Sequence, residues 1–131
     1  LYVFEKDTEE IIRLAEDKFR KNITMYCDSA EPDRIRMWKK AGYRALPVKK
    51  EPNSVRAQID HLKQHKIHIH PSCVNTIKEI QQWKWKKDEK TNTYTEEPVN
   101  FFDDAMAMLR YSIEEERRTA PRLNRTIKGG I

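Results

Sequence analysis

An alternation of short apolar runs with helical segments constrains the fold of this sequence more than any other feature. The run 23–27 leads into an acidic turn that begins at Asp28, and Pro32 at the end of this turn suits the first turn of a helix. The helical pattern stops at Gly42, and residues 43–48 form a second strand-like run. A strand, a helix and a strand in this order predict an α/β fold whose sheet is at least partly parallel.

The remaining segments extend this alternation along the chain. In order, they are a strand at 1–4, a helix from Asp7 or Thr8 to near Asn22, a helix capped by Asn53 or Ser54, a strand at 67–70, a helix opened by Pro71 and Ser72, and a helix starting near Asp103. Residues 83–86 alternate Trp and Lys, and 93–95 are their predicted partner in a β-hairpin. Beyond Pro121 the periodicity is lost, so the tail 119–131 is expected to be loose.

Charge and glycine content narrow the classes of function. Lysine and arginine total 26 against 21 acids, and the net charge of +5 favours an anionic partner such as nucleic acid. The glycines, Gly42, Gly129 and Gly130, cannot form a phosphate-binding loop or a dinucleotide fingerprint, so we expect no nucleotide in this chain. Cys27 and Cys73 form no disulfide framework, which favours a reducing cytoplasm. Because no apolar run is long enough to cross a bilayer, no membrane partner is expected.

Asp28 is the leading candidate for a functional residue, because ligands of α/β sheets gather at the carboxyl ends of strands. Asp103 and Asp104, at the start of the last helix, could join it, with one capping the helix and the other facing the site. We expect Asp104 to face the site, since it lies in line with Met108 and Ser112 at helical spacing. Carboxylates from separate elements bind Mg²⁺ or Mn²⁺, and two such ions can promote phosphodiester hydrolysis.

Several segments together resemble the nuclease domain of phage large terminase subunits. They are 26–32, Lys49-Lys50, 59–63, 67–71, 83–85 and 105–111. The most specific is D-S-A-E-P at 28–32, directly after a strand, and L-R-Y at 109–111 supports it. The resemblance covers the chain to about residue 116, so we expect one nuclease domain over 1–118.

The resemblance implies an α/β, ribonuclease H-like mixed sheet flanked by helices, with the N-terminal strands of the domain missing from this chain. It implies an endonuclease that uses two divalent cations, Mg²⁺ or Mn²⁺, to cut concatemeric double-stranded viral DNA in the host cytoplasm. The implied partners are the ATPase motor domain of the same polypeptide, the small terminase subunit and the portal protein. Asp28 matches the second acid of the family, and the first acid is expected on a strand before Leu1.

This sequence differs from its relatives at the position of the third family acid. Relatives commonly carry Asp where Ala107 stands, three residues before Arg110, and His or Asp at the position of Asp104. Two explanations stay open: Asp104 takes over the metal-binding role, or an Asp to Ala change at 107 disables the site. We therefore expect Asp28 and Asp104 to be catalytic, and Asp28, Asp103 and Asp104 to bind metal.

Basic and aromatic side chains supply candidate contacts to DNA. The residues expected to hold the phosphate backbone without reading sequence are Lys49, Lys50, Arg56, Lys84 and Lys86. Trp83 and Trp85 are expected on one face of the hairpin, where they either pack in the core or form a platform for DNA.

Other interpretations stay open from the sequence alone. A zinc site can be drawn from His61, His65, His68, His70 and Cys73, although a polar strand face beside solvated helix residues is simpler. A non-catalytic DNA-binding or assembly module of the packaging machine would also explain Ala107. A small α/β regulatory domain would use its basic face for other partners, and metal titration would distinguish it.

Overall fold

Five helices and four short strands make up the part of the chain that the structure, a computed structural model, describes: residues 1–100 and 103–119. In chain order they are α1 (Thr8–Ala15), β1 (Thr24–Cys27), α2 (Pro32–Lys40), β2 (Arg44–Pro47), α3 (Ser54–Lys63), α4 (Val74–Gln82), β3 (Trp85–Asp88), β4 (Thr93–Pro98) and α5 (Asp104–Thr119). No helix in these ranges is long and apolar enough to span a membrane.

The predicted strand–helix–strand unit is confirmed. β1 and β2 pair in parallel, from Thr24 opposite Arg44 to Cys27 opposite Pro47, and the N–H of Val48 extends the pairing with a 2.8 Å hydrogen bond to the Cys27 carbonyl. Between them α2 packs against β2. The chain leaves α2 through Gly42, whose φ of +92° lies in the region that only glycine adopts without strain. This unit places Asp28 directly beyond the carboxyl end of β1.

α5 lies at the centre of the packing and contacts α3, α4 and β1. Its residues Ala105 and Met106 are buried, and Met106 is completely inaccessible to solvent. They complete a small apolar core with residues from α1, α2, β2 and α3, and with one residue on either side of β2. These residues are Ala15, Ile35, Tyr43, Ala45, Val48, Ile59 and Leu62.

A buried polar network joins α3 to α5. The Gln58 amide donates to a Glu114 carboxylate oxygen at 2.9 Å and accepts from the Arg110 guanidinium at 2.9 Å. Glu114 also accepts two hydrogen bonds from Arg117, at 2.8 and 2.9 Å. Burial alone would raise the pKa of Glu114, but the hydrogen bonds from Arg117 and Gln58 outweigh it and lower that pKa. Glu114 is therefore a buried anion whose charge is compensated.

Two predicted strands and one helix boundary are wrong. Residues 1–4 and 67–70 form no strand. Each of the four strands in the described part of the chain pairs with another of the four, and none pairs with these two segments. An apolar run becomes a strand only when a partner satisfies its backbone. The first helix ends at Ala15 rather than near Asn22, since the N–H groups of Lys18 and Phe19 both turn back to the Ala15 carbonyl.

The β-hairpin is confirmed, with shifted bounds. β3 begins at Trp85, because Trp83 instead forms the C-cap of α4 in an extended conformation, and β4 runs on to Pro98. Asn53 stands at the N-cap of α3, but its side chain makes no capping hydrogen bond. Of the predicted tail, Thr119 is the last residue of α5, and 120–131 lie outside the described residues.

The network around Gln58 predicts a large effect of a single substitution. Gln58→Ala leaves buried groups of Arg110 and Glu114 without their amide partner, so the free energy of unfolding should fall by about 2–3 kcal/mol. Urea denaturation measures it. The control is Gln81→Ala on the exposed side of α4, which should change the unfolding free energy by no more than about 0.5 kcal/mol. Equal effects of the two substitutions would contradict the role of the network.

Candidate functional site

The carboxylate of Asp28 is held by three parts of the fold. Its Oδ1 accepts hydrogen bonds from the ammonium of Lys50 at 2.6 Å and from the backbone N–H of Ala30 at 2.9 Å. Its Oδ2 accepts a long hydrogen bond of 3.4 Å from the hydroxyl of Tyr111 on α5. The Asp28 side chain stays 44% exposed. One carboxylate oxygen is thus weakly engaged and open to a ligand from solvent.

The partners of Asp28 keep it ionised. The hydrogen bond from Lys50, followed by that from the Ala30 N–H, holds the pKa of Asp28 below its ordinary value of 3.8. Reciprocally, the hydrogen bond to Asp28 raises the pKa of Lys50. The Lys50 ammonium also lies 5.7 Å from the centre of the Tyr111 ring, within the range of a cation–π interaction. A negative oxygen at the end of β1 is therefore permanently available at neutral pH.

The first turn of α5 is anchored by Glu79, a residue that the sequence analysis missed. Glu79 is buried in α4, and its Oε2 accepts from the N–H groups of Ala105 and Met106 at 2.7 and 3.2 Å. Asp103 directly precedes α5 and its carbonyl accepts from the Ala107 N–H at 2.8 Å, but the N–H groups of Ala105 and Met106 are bonded to Glu79 rather than to the side chain of Asp103 or Asp104. The only local signal was a glutamate between the apolar residues of α4, and its partners are distant in sequence.

Asp104, at the start of α5, lies close to the end of β1. It is exposed and lines a groove of about 840 Å³ together with Cys27, Met108 and the N-terminal segment. Asp103 is half-buried. Within residues 1–100 and 103–119, the group of three His, Cys, Asp or Glu side chains close enough to share a metal includes neither Asp28 nor these two acids. The structure therefore places Asp28 directly beyond β1, and Asp104 at a groove that Cys27, the last residue of β1, also lines.

Position 107 is nearer to Asp28 along α5 than position 104. Tyr111, which donates to Asp28, is one helical turn from Ala107, about 6 Å along the axis, and about 10.5 Å from Asp104. Helical side chains lean towards the N-terminus, so the Tyr111 ring extends over the turn that carries Ala107. Positions 104, 107 and 111 lie on one face of α5, within about 60° of one another around the helix axis.

The predicted DNA-binding residues fall in separate places. Lys50 is bound to Asp28, and Lys49 beside it is exposed. Arg56 is paired with Asp60 at 3.2 Å and with Glu96 at 3.0 Å. The exposed Lys86 lines a cleft with Arg56 and Glu96, whereas Lys84 lines a pocket with Trp83 and Trp85. Of these residues, Lys50 is the one that donates a hydrogen bond to Asp28.

Trp83 and Trp85 line one pocket of about 590 Å³, together with Ile59 and Leu62 of α3. Both tryptophans are half-buried. The charged groups of Arg56 and Lys63 lie 5.3 and 5.5 Å from the centre of the Trp85 ring. These contacts already use the Trp85 ring for packing and cation–π interactions, which favours a structural role over a platform for DNA bases.

The fold and sequence agree with one family of proteins. The sequence model of the terminase RNase H-like domain matches residues 2–115. The chain belongs to this family. Among solved structures, the large terminase nuclease domain of bacteriophage SPP1, crystallised with bound Mn, is similar with a TM-score of 0.76 and 19% identity. The match covers 86% of this chain and 65% of that one. No curated protein matched.

This match confirms the predicted fold class. The α/β arrangement of five helices, a parallel strand pair and a hairpin is that of an RNase H-like terminase domain. The chain spans 65% of the length of the SPP1 domain to which it is similar. At 19% identity the likeness supports the fold, and residue roles must come from this chain's own contacts.

The contact between Lys50 and Asp28 predicts a change that NMR can measure. In Lys50→Met the pKa of Asp28 should rise towards 3.8, because its largest stabilising partner is gone. The contribution of the pair to stability is complete above the ordinary carboxyl pKa, and it is lost as the pH falls through the lowered pKa of the folded state. Carboxyl ¹³C titration gives the pKa directly. Lys49→Met is the matched control, and an Asp28 titration that is the same in all three proteins would contradict the assignment.

Proposed function

We propose that this chain is the nuclease part of a phage DNA-packaging large terminase subunit and that it hydrolyses phosphodiester bonds of concatemeric double-stranded viral DNA. The observation that carries the proposal is the ionised, half-exposed carboxylate of Asp28 at the end of β1, in a chain of the terminase RNase H-like family. Strand ends of α/β folds are where convergent loops and helices form active sites.

The donor chemistry at Asp28 suits a hard divalent cation. Mg²⁺ and Mn²⁺ prefer carboxylate oxygens, and Asp28 Oδ2 has only a 3.4 Å contact with the Tyr111 hydroxyl. Bound Mn in the similar SPP1 domain supports the same choice here. In this proposal Asp28 is the first ligand, and Asp103 and Asp104 contribute from the start of α5. Two cations would activate water and stabilise the leaving oxygen.

The lysines after β2 bind the substrate in this proposal. Lys50 neutralises Asp28 in the free protein, and a cation at Asp28 would release its ammonium for a phosphate oxygen. Lys49 is exposed beside it and needs no rearrangement to contact the same backbone. Arg56, Lys84 and Lys86 extend the contact along the DNA, and Arg56 contributes least because Asp60 and Glu96 already pair with it.

Position 107 is the proposed place of the third family acid. A carboxylate there would lie one turn from Tyr111 and on the same face of α5 as Asp104. Ala107 offers no ligand, so this chain binds its cations with fewer negative charges. Asp104 then serves as the α5 ligand from one turn farther away.

The proposal also includes the partners that family membership implies. The domain over 1–118 works beside the ATPase motor domain of its polypeptide, with the small terminase subunit and the portal protein, in the host cytoplasm. A second candidate is a non-catalytic DNA-binding or assembly module of the same machine. Ala107, which supplies no carboxylate at the position of the third family acid, favours this candidate.

A substitution at 107 separates the two candidates. Ala107→Asp should increase the affinity for Mn²⁺ by at least about tenfold, since even indirect partners of a metal site contribute about 10–100-fold. In a longer chain that also carries the strand with the first family acid, it should raise Mn²⁺-dependent nicking of supercoiled DNA well above that of the same chain with Ala107. Calorimetry and initial nicking rates measure these effects. Ala107→Asn, similar in size but uncharged, is the matched control and should have little effect.

Asp28→Asn and Asp104→Asn complete the series. In the nuclease account, Asp28→Asn abolishes the gain produced by Ala107→Asp. Unchanged Mn²⁺ binding in Asp28→Asn would refute the assignment of Asp28. An active parent that loses activity in Asp104→Asn, and gains none in Ala107→Asp, would make Asp104 the working third acid. DNA binding without Mn²⁺-dependent cleavage in any variant of the longer chain that carries the first acid would favour the assembly module.

A further inference from the structure

Three potential metal ligands meet where the end of α3 approaches α5. The donor atoms of His61, His65 and Glu116 all lie within 4.8 Å of one another. His61 is in the last turn of α3, His65 lies just beyond that helix, and Glu116 belongs to α5. Two of its members, His61 and His65, belong to the zinc site considered from the sequence. The third ligand is the Glu116 carboxylate, which is distant in sequence, rather than His68, His70 or Cys73.

The ring of His65 is oriented for metal binding. Its Nδ1 lies 2.9 Å from the carbonyl oxygen of His61 and therefore carries the hydrogen that is donated. The other ring nitrogen, Nε2, then keeps its lone pair for a cation. Histidines that bind metals commonly donate their second nitrogen to a backbone carbonyl in this way. The backbone N–H of His65 also donates to the Leu62 carbonyl at 3.0 Å, which fixes the turn after α3.

Among the residues that the structure describes, Glu116 forms no salt bridge with a lysine or arginine. Arg117 pairs with Glu114 at 2.8 Å, and Arg118 pairs with Glu51 at 3.2 Å. In the described ranges 1–100 and 103–119, no lysine or arginine nitrogen lies within 4.0 Å of the Glu116 carboxylate. The two arginines nearest in sequence are thus directed to other acids, and the Glu116 carboxylate is available to the histidines.

We propose that His61, His65 and Glu116 bind one Zn²⁺, or a similar transition-metal cation, that clamps the end of α3 to α5. Two imidazoles and a carboxylate suit Zn²⁺, whereas Mg²⁺ prefers oxygen ligands alone. Tetrahedral zinc places its ligand atoms about 3.3 Å apart, a distance that His65 and Glu116 can reach by side-chain rotation because both are exposed. Water takes the fourth position.

This site is separate from Asp28. Glu116 follows Tyr111 by five residues, so it projects about 140° away around α5 from the side chain that contacts Asp28. The two places also differ in chemistry, since hard oxygen donors surround Asp28 and nitrogen donors dominate the cluster. The clamp strengthens the α3–α5 contact that the buried Gln58 network already makes.

Cobalt provides the test, because tetrahedral Co²⁺ absorbs visible light far more strongly, and at longer wavelength, than octahedral Co²⁺, including the free aqua ion. The 131-residue chain is titrated with Co²⁺, and the bound Co²⁺ is then displaced with Zn²⁺. Variants His61→Ala, His65→Ala and Glu116→Gln each remove one ligand, and Glu116→Gln does so with almost no change of shape. Controls are His68→Ala, an exposed histidine outside the cluster, and Asp28→Asn.

We expect one tetrahedral Co²⁺ per chain, an affinity reduced at least about tenfold in each ligand variant, and an unchanged tetrahedral signal in both controls. Zn²⁺ should raise the melting temperature of the wild type more than that of Glu116→Gln. Absence of a tetrahedral signal in the wild type would overturn the proposal. Tetrahedral binding by Glu116→Gln as tight as in the wild type, or loss of the tetrahedral signal in His68→Ala or Asp28→Asn, would also overturn it.

Discussion

The position of α5 determines the rest of the structure. This helix carries Tyr111 to Asp28, and its buried face completes the apolar core. Two polar attachments fix it: Glu79 binds the N–H groups of its first turn, and Gln58 holds Arg110 and Glu114 in its middle. Buried polar groups of this kind are costly when a partner is lost, so they specify one orientation of the helix. The candidate site depends on that orientation.

The sequence predicts the local parts of this fold well. The apolar run before Asp28, the proline after it and the stop at Gly42 are local signals, and the parallel pair β1–β2 follows from them. Residues 67–70 have a similar apolar pattern, but pairing depends on a distant strand, and the structure provides none among the described residues. Local pattern therefore predicts the elements, and tertiary contacts decide which of them pair.

The sequence likewise predicts some residues of the candidate site and not others. Asp28 follows a strand and is found from its position alone, whereas its partners Lys50 and Tyr111 lie 22 and 83 residues away. Glu79 is in the apolar part of a helix, where no sequence pattern indicates which N–H groups it will meet. The resemblance to terminase nucleases identified the family, yet Ala107 departs from its acid pattern. Family membership and site composition must therefore be weighed separately.

The central claim is that the end of β1, between Asp28 and the first turns of α5, binds the cations for DNA cleavage. A crystal structure of the chain grown with Mn²⁺ tests it most directly, because the anomalous scattering of manganese identifies the ion without ambiguity. The account predicts an anomalous peak at coordination distance from an Asp28 carboxylate oxygen, with Lys50 displaced from its 2.6 Å contact. Manganese bound elsewhere, with the Asp28–Lys50 pair intact, would contradict it.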